Sequence, residues 1–336
     1  MNDHPKTVYR SPFTDHRHRH RSPITDHRSP FTIDAMRRQQ LTADASLLLV
    51  TAIWGATFVM VQDAVTGFPV FAFLAMRFAL AALVLLPFIA QSRRAEPDGR
   101  VQAAPARMPA LAALWPGILV GLALFAGYVF QTFGLRETTP AKAGFITGLS
   151  VALVPLGQAL FLRRPPRRNS LIGVALATLG LALLTLQADL SVSRGDLLVF
   201  ACAVAFAVHI LLMGRYAPDW PPLRLAFVQI ATVAVLSSAA TVILERPIGW
   251  PAGNVWFAAA FTGLLATAFA FFVQSRAQQA TSPTHTALIF AAEPVFAGLF
   301  SFLLIGEMLG PRQILGSALI VAGMVVSEFR TTKDKA

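Results

Sequence analysis

Charge is what this 336-residue chain has least of: only 13% of its residues are Asp, Glu, Lys or Arg, against roughly 25% in soluble domains. Apolar runs of about 20 residues recur with almost no charge inside them, which is the length that crosses a bilayer. A large soluble core would instead interrupt such runs with charged helix faces. Cysteine is almost missing. Cys202 stands alone inside one of the runs, which excludes a disulfide framework and a cysteine-built metal site. There is no G-x-x-x-x-G-K-[ST] phosphate loop, so no ATP-driven step is expected from a domain of this chain. No H-E-x-x-H pair occurs, and no carboxylates sit at metal-ligand spacing in the apolar runs, so no metal and no cofactor are expected. What is present is 55% hydrophobic, with a mean hydropathy of +0.59. The class is an all-α, polytopic membrane protein. A net charge of +11 would suggest nucleic acid in a soluble protein; in a membrane protein it reports topology, and no nucleic-acid partner is expected.

Residues 1–40 differ in kind from the rest. Ser11-Pro12-Phe13-Thr14-Asp15-His16-Arg17 returns as Ser22-Pro23-Ile24-Thr25-Asp26-His27-Arg28 and partly as Ser29-Pro30-Phe31-Thr32. Five of the seven histidines (His4, His16, His18, His20, His27) lie here. They offer a metal-binding tract, but polar low-complexity tails are commonly disordered, and disorder is the expectation. Met36, followed by Arg37 and Arg38, is an alternative start. From there ten apolar segments run at about 45–63, 70–90, 110–134, 140–162, 169–187, 196–214, 223–244, 253–275, 282–305 and 311–329. The longest connection, 91–109, is charged. With the amino terminus inside, the inner segments hold sixteen Lys and Arg residues and the outer loops five: Arg136, Lys142, Arg194, Arg246 and Arg312. That bias sets both termini in the cytoplasm.

The second half echoes the first. An offset of 143 places Gln131 on Gln274, Thr139-Pro140 on Ser282-Pro283, Gly173 on Gly316 and Gly180 on Gly323. Before the long loop the offset is 152, placing Pro69 on Pro221, Trp54 on Phe206 and Arg77 on Gln229. This is a duplicated five-helix unit, 41–187 and 188–330, followed by a short tail at 331–336. Because five is odd, the second copy is expected upside down in the membrane. Inverted repeats are a recurrent plan of secondary transporters, with the substrate site between the halves near midplane.

Three features carry a resemblance to a family. They are Trp54-Gly55-Ala56-Thr57-Phe58, Arg77 preceded by Pro69, and Thr281-Ser282-Pro283 running to Glu293-Pro294 and Gly306-Glu307, with Gly316 and Gly323 beyond. Over about residues 43–328 the chain resembles the EamA-type, ten-helix members of the drug/metabolite transporter superfamily. It departs at Pro155, one turn after the residue aligned with Pro294, and at Arg163-Arg164, where the second copy has Gly306-Glu307. The resemblance implies efflux or exchange of small metabolites such as amino acids, without ATP hydrolysis. It also implies dimer contacts through the fifth and tenth helices in some members, so a homodimer is open.

Glu293 is the strongest site candidate. It stands roughly 18 Å into its segment at 1.5 Å per residue, near the middle of an apolar layer about 30 Å thick. A carboxylate at that depth suits a proton carrier, though it also suits a hydrogen-bonded brace inside the bundle. Arg77, about 10 Å deep by the same rise, suits an anionic substrate group or a pair with Glu293. It is also long enough to snorkel to the headgroups. Gln131 and Gln274 are aligned, and line a pathway or bridge helices. His209 is a candidate proton relay, and Trp54, Tyr128 and Phe206 are candidate packing surfaces for a substrate. Each of these four is equally readable as core. Gln158 and Gln229 are weaker candidates. Pro294 and Pro155 are candidate hinges. Gly117, Gly121, Gly144 and Gly148 let helices approach closely.

The expectation is an alternating-access secondary transporter, an exporter or exchanger of a small polar metabolite or amphipathic compound. Its place is the inner membrane of a bacterium. The rival classes are a membrane-embedded enzyme acting on a lipid-linked substrate, which would need a cluster of His, Asp or Glu at an interface, and a channel.

Overall fold

The computed structural model describes residues 30–95, 114–161, 163, 166–185, 192–245, 249–305, 308 and 310–328. Residues 1–29 of the repeat-bearing tail, Gly306-Glu307 and most of the 91–109 loop lie outside the described residues, whereas residues 30–40 of that tail, expected to be disordered, are helical. Two compact units divide the chain, Met1–Arg37 and Arg38–Ala336. Of the first, the described residues 30–37 are helical. The second carries the site.

Every regular element among the described residues is helical. The first segment is α1 (Pro30–Gly55) and α2 (Phe58–Thr66), and the next α3 (Val70–Ala95). α3 therefore runs five residues into the stretch read as loop. Then come α4 (Trp115–Leu135), α5 (Pro140–Gly148), α6 (Ser150–Phe161), α7 (Arg168–Thr185) and α8 (Arg194–Tyr216). The chain goes on through α9 (Pro222–Leu244), α10 (Gly253–Gly263), a π turn (Leu264–Phe269) and α11 (Ala270–Ala277). It closes with α12 (Pro283–Phe290), α13 (Glu293–Ile305) and α14 (Pro311–Glu328).

Among the described residues seven helical stretches are long and apolar enough to cross a membrane, from Arg38–Thr66 to Gly253–Ala277; α7 and α14 are apolar but shorter. Among the described residues three segments that read as single helices are broken, the first, 45–63, at Ala56–Thr57 between α1 and α2. The stretch 140–162 interrupts at Leu149, between α5 and α6, and 282–305 at Ala291–Ala292, between α12 and α13. At the offset of 143 the last two breaks coincide, so Ser150 and Glu293 each open the second helix of a broken pair. Thr139 and Ser282 cap the first helices of those pairs, accepting from the N–H of Lys142 and of His285, with Pro140 and Pro283 at the first helical position, where a missing N–H costs nothing.

Packing holds these pieces around an internal space. α7 lies along α14 through facing glycines. A Cβ on Gly173 would stand 2.5 Å from the Gly323 carbonyl oxygen, and one on Gly180 2.5 Å from that of Gly316. α3 runs along α9, and Glu245 at the end of α9 accepts from the N–H groups of Phe71 and Ala72 at 3.0 and 2.9 Å. A carboxylate there satisfies orphan donors at the positive end of α3. Gly117 and Gly121 bring α4 against Val228 and Thr232 of α9.

Candidate functional site

The inner space is a cavity of about 810 Å³, its mouth included. It is lined from α1, α2, α3, α4, α5, α8, α11, α12 and the openings of α6 and α13. Trp54, Arg77, Tyr128, Gln131, His209, Gln274, Glu293 and Pro294 all line it, as does Phe206. Pro155 is buried inside α6, away from the lining and six residues past the break at Leu149. Gln158 accepts from Thr284 Oγ1 at 2.8 Å and is not part of the wall. Gln229 lies behind it.

Arg77 is buried at 3% exposure, so it does not snorkel. Its Nε donates to Thr267 Oγ1 at 2.8 Å and a terminal nitrogen donates to Tyr128 Oη at 3.1 Å. The guanidinium carbon also lies 4.6 Å from the Tyr128 ring centre, a cation–π contact. Among the described residues no carboxylate pairs with Arg77, Glu293 included; both line the cavity without meeting. Thr267 sits in the π turn of α10–α11. The wide turn also presents the Ala266 carbonyl, which accepts from Trp54 Nε1 at 2.9 Å. Such turns recur at functional sites because they re-aim backbone groups.

Glu293 is half-buried at the opening of α13, and no described residue hydrogen-bonds its carboxylate. Gly55 lets α1 come close here: a Cβ on it would stand 2.7 Å from the Glu293 carbonyl oxygen. Gln274 is 1% exposed, and its Nε2 donates to Gln278 Oε1 at 2.8 Å. Its Oε1 is buried with no partner, an acceptor that costs about 1–3 kcal/mol when left unmet. His209 Nε2 is 2.8 Å from Gln229 Oε1, and Gln229 Nε2 donates to Ser275 Oγ at 3.4 Å. Aromatic rings fill the space between the polar groups. Trp54 lies 5.8 Å from Phe271 and 4.8 Å from Phe290, and Tyr128 lies 5.4 Å from Phe206.

The other lining residues escaped the sequence reading as site candidates, Thr57, Thr147, Phe271 and Phe290 among them. Nothing distinguishes them by type from ordinary packing in an apolar run. Two polar clusters beyond the cavity were also missed, although a signal existed. Asp44 and Asp196 coincide at the offset of 152, and Lys142 and His285 at 143. In the structure Asp44 Oδ1 is 3.0 Å from His285 Nε2, and His285 Nδ1 is 3.5 Å from Ser327 Oγ. Asp196 accepts from Thr138 Oγ1 and, at 2.9 Å, from the N–H of Ser193. Lys142 lies within electrostatic range of it.

The first cluster adjoins the end of α8, where Gly214 packs against Pro283; the second adjoins its start. Asp196 and Gly214 are 18 residues apart, about 27 Å along the helix at 1.5 Å per residue. The clusters therefore bracket the cavity at opposite ends of a membrane-length helix.

A multi-pass helical bundle around a polar cavity is the class these features define: a membrane transporter. The chain belongs to the EamA-like transporter family, whose model matches residues 41–186 and 193–329. It is 32% identical over 295 residues to a protein of Archaeoglobus fulgidus named an uncharacterized transporter, covering 87% of each chain. It is 26% identical to the transporter YyaM of Bacillus subtilis over 84% of this chain and 92% of that one. It is 24% identical to the inner membrane transporter YedA of Escherichia coli over 86% and 91%. A solved crystal structure, 22% identical, shares the fold with a TM-score of 0.68, covering 85% of this chain and 96% of that one.

Proposed function

We propose that the protein is an alternating-access secondary transporter of the bacterial inner membrane, exporting or exchanging a small polar metabolite such as an amino acid, or an amphipathic compound. It crosses the membrane ten times as two inverted five-helix repeats, with both termini in the cytoplasm. The observation that carries this reading is the cavity itself. Unpaired charges of opposite sign, Arg77 and Glu293, face one space lined by aromatic rings. A ligand with an acidic and a basic end would meet both, with Arg77 and Tyr128 taking the acid and Glu293 and Gln274 Oε1 taking the amine.

Several features support the inverted repeats. α7 with α14 and α3 with α9 pair elements at equivalent places in the two halves. The helix breaks at Leu149 and Ala291–Ala292 coincide at the offset of 143. Asp44 and Asp196, equivalent at 152, stand at opposite ends of the bundle.

Glu293 is the coupling residue in this mechanism: its carboxylate takes up a proton on one side and releases it on the other as substrate moves. Liposomes carrying the purified protein under an imposed pH gradient test it. Gradient-driven uptake is expected in the parent and lost in Glu293→Gln, while counterflow exchange, which needs no net proton movement, survives. Full gradient-driven uptake by Glu293→Gln would remove the coupling role.

A further inference from the structure

Beyond the cavity wall, the two polar clusters at the ends of α8 have the same construction. At one end, Asp44 of the first half meets His285, the third residue of α12 in the second half, at 3.0 Å. At the other, Asp196 of the second half meets the approach to α5 in the first half, through the Thr138 hydroxyl and the field of Lys142. His285 and Lys142 hold the same place in their helices, each with its backbone N–H on the capping hydroxyl three residues before it. The first contact joins the acid of one half to the first turn of a broken helix in the other, and the second joins the equivalent acid to the residue just before the cap of the equivalent helix. Each of those broken helices leads inward to a cavity residue, α5 to Ser150 and α12 to Glu293.

We propose that these are two equivalent latches, one for each mouth of the cavity, and that alternate release of one while the other holds is what opens the site to each side in turn. The proposal rests on the inverted-repeat transporter reading. Its chemistry suits a contact remade in every cycle. Side-chain exposures of 12% and 17% for His285 and Asp44 leave the pair partly hydrated, and for such pairs desolvation offsets much of the attraction. The pair fixes geometry at small net energy. A break in the helix beside each latch lets the first turn move without dragging the whole span.

Ser150→Cys in a Cys202→Ala background puts a single thiol on the cavity wall. A membrane-impermeant maleimide is then added to right-side-out or to inverted vesicles. Asp44→Asn and, separately, His285→Asn are expected to raise labelling severalfold from the mouth where α1 begins and to leave the other unchanged. Thr138→Val and Asp196→Asn are expected to do the reverse. The swapped pair, Asp44→His with His285→Asp, restores the parent pattern, which a residue needed only for folding would not do. Labelling raised at both mouths or at neither, with transport intact, overturns the latches and leaves the transporter reading standing. A parent thiol that no reagent reaches from either side, in a protein without transport, overturns both.

Discussion

Arg77 is held by two hydroxyls and an aromatic face, and that choice of partners has a consequence. Hydroxyls orient a guanidinium without neutralising it, so its charge stays available to the cavity, whereas a paired carboxylate would cancel it. Bonds to charged groups are worth about 1.5–3 kcal/mol each, so Tyr128→Phe should lower stability by about 1–3 kcal/mol, read as a fall in the midpoint of detergent-induced unfolding. It should also weaken binding of an acidic ligand more than of its amide. Equal weakening of both would mean that the hydroxyl only braces the bundle. Residue type and depth in the sequence singled out Arg77, Glu293 and the aligned glutamines, because a polar group in an apolar run is costly and therefore conspicuous. Which hydroxyls would hold Arg77 was not legible. Thr267 is one of many threonines that look equally suited to bonding their own helix's carbonyls.

At the scale of elements, the sequence marks where helices begin better than where they break. Thr139-Pro140 and Ser282-Pro283 are ordinary start signals, and both open helices. Pro294, four residues after the end of α12, does mark the break at Ala291–Ala292, whereas Leu149 has no breaker beside it and the π turn at Leu264–Phe269 contains neither Gly nor Pro. These irregularities answer to tertiary demands: Trp54 Nε1 seeking the Ala266 carbonyl, Arg77 seeking Thr267, and two broken pairs opening onto one cavity. Pattern reading along one helix does not contain them. The small-residue rows, by contrast, were legible as close-packing faces of the fifth and tenth helices. Gly173, Gly180, Gly316 and Gly323 face one another within the chain, in α7 and α14. Gly180→Leu would drive a branched side chain into the Gly316 carbonyl and the Ile320 backbone. Overpacking of this kind costs about 1–3 kcal/mol or more, and the expected result is a lowered unfolding midpoint and earlier cleavage by protease in the α13–α14 connection. An unchanged midpoint would mean that α7 and α14 separate at no cost.

For the whole molecule, the proposed inverted-repeat arrangement makes a demand that neither a residue nor a helix makes alone: equivalent points of the two halves must stand on opposite faces of the membrane. The positive-charge bias argues for this from outside the bilayer, since Arg167 and Arg168 lead into α7 while the corresponding Gly310 and Pro311, which lead into α14, carry no charge. The bundle argues for it from within. α8 carries Asp196 at one end and packs by its other end against Pro283, beside His285 and Asp44, so residues equivalent in sequence are separated by a helix length of about 27 Å at 1.5 Å per residue. Arg167 and Gly310 are equivalent at the offset of 143 and flank α7 and α14. A green fluorescent protein joined after Arg167 should fluoresce, as a cytoplasmic fusion does, whereas alkaline phosphatase joined after Gly310 should be active, as an exported one is. Exchanging the two reporters should silence both. If both positions report the same side, the halves are not inverted. The unpaired charges of the cavity would then face a bundle with no second, mirror-related mouth, and alternating access would lose its structural basis.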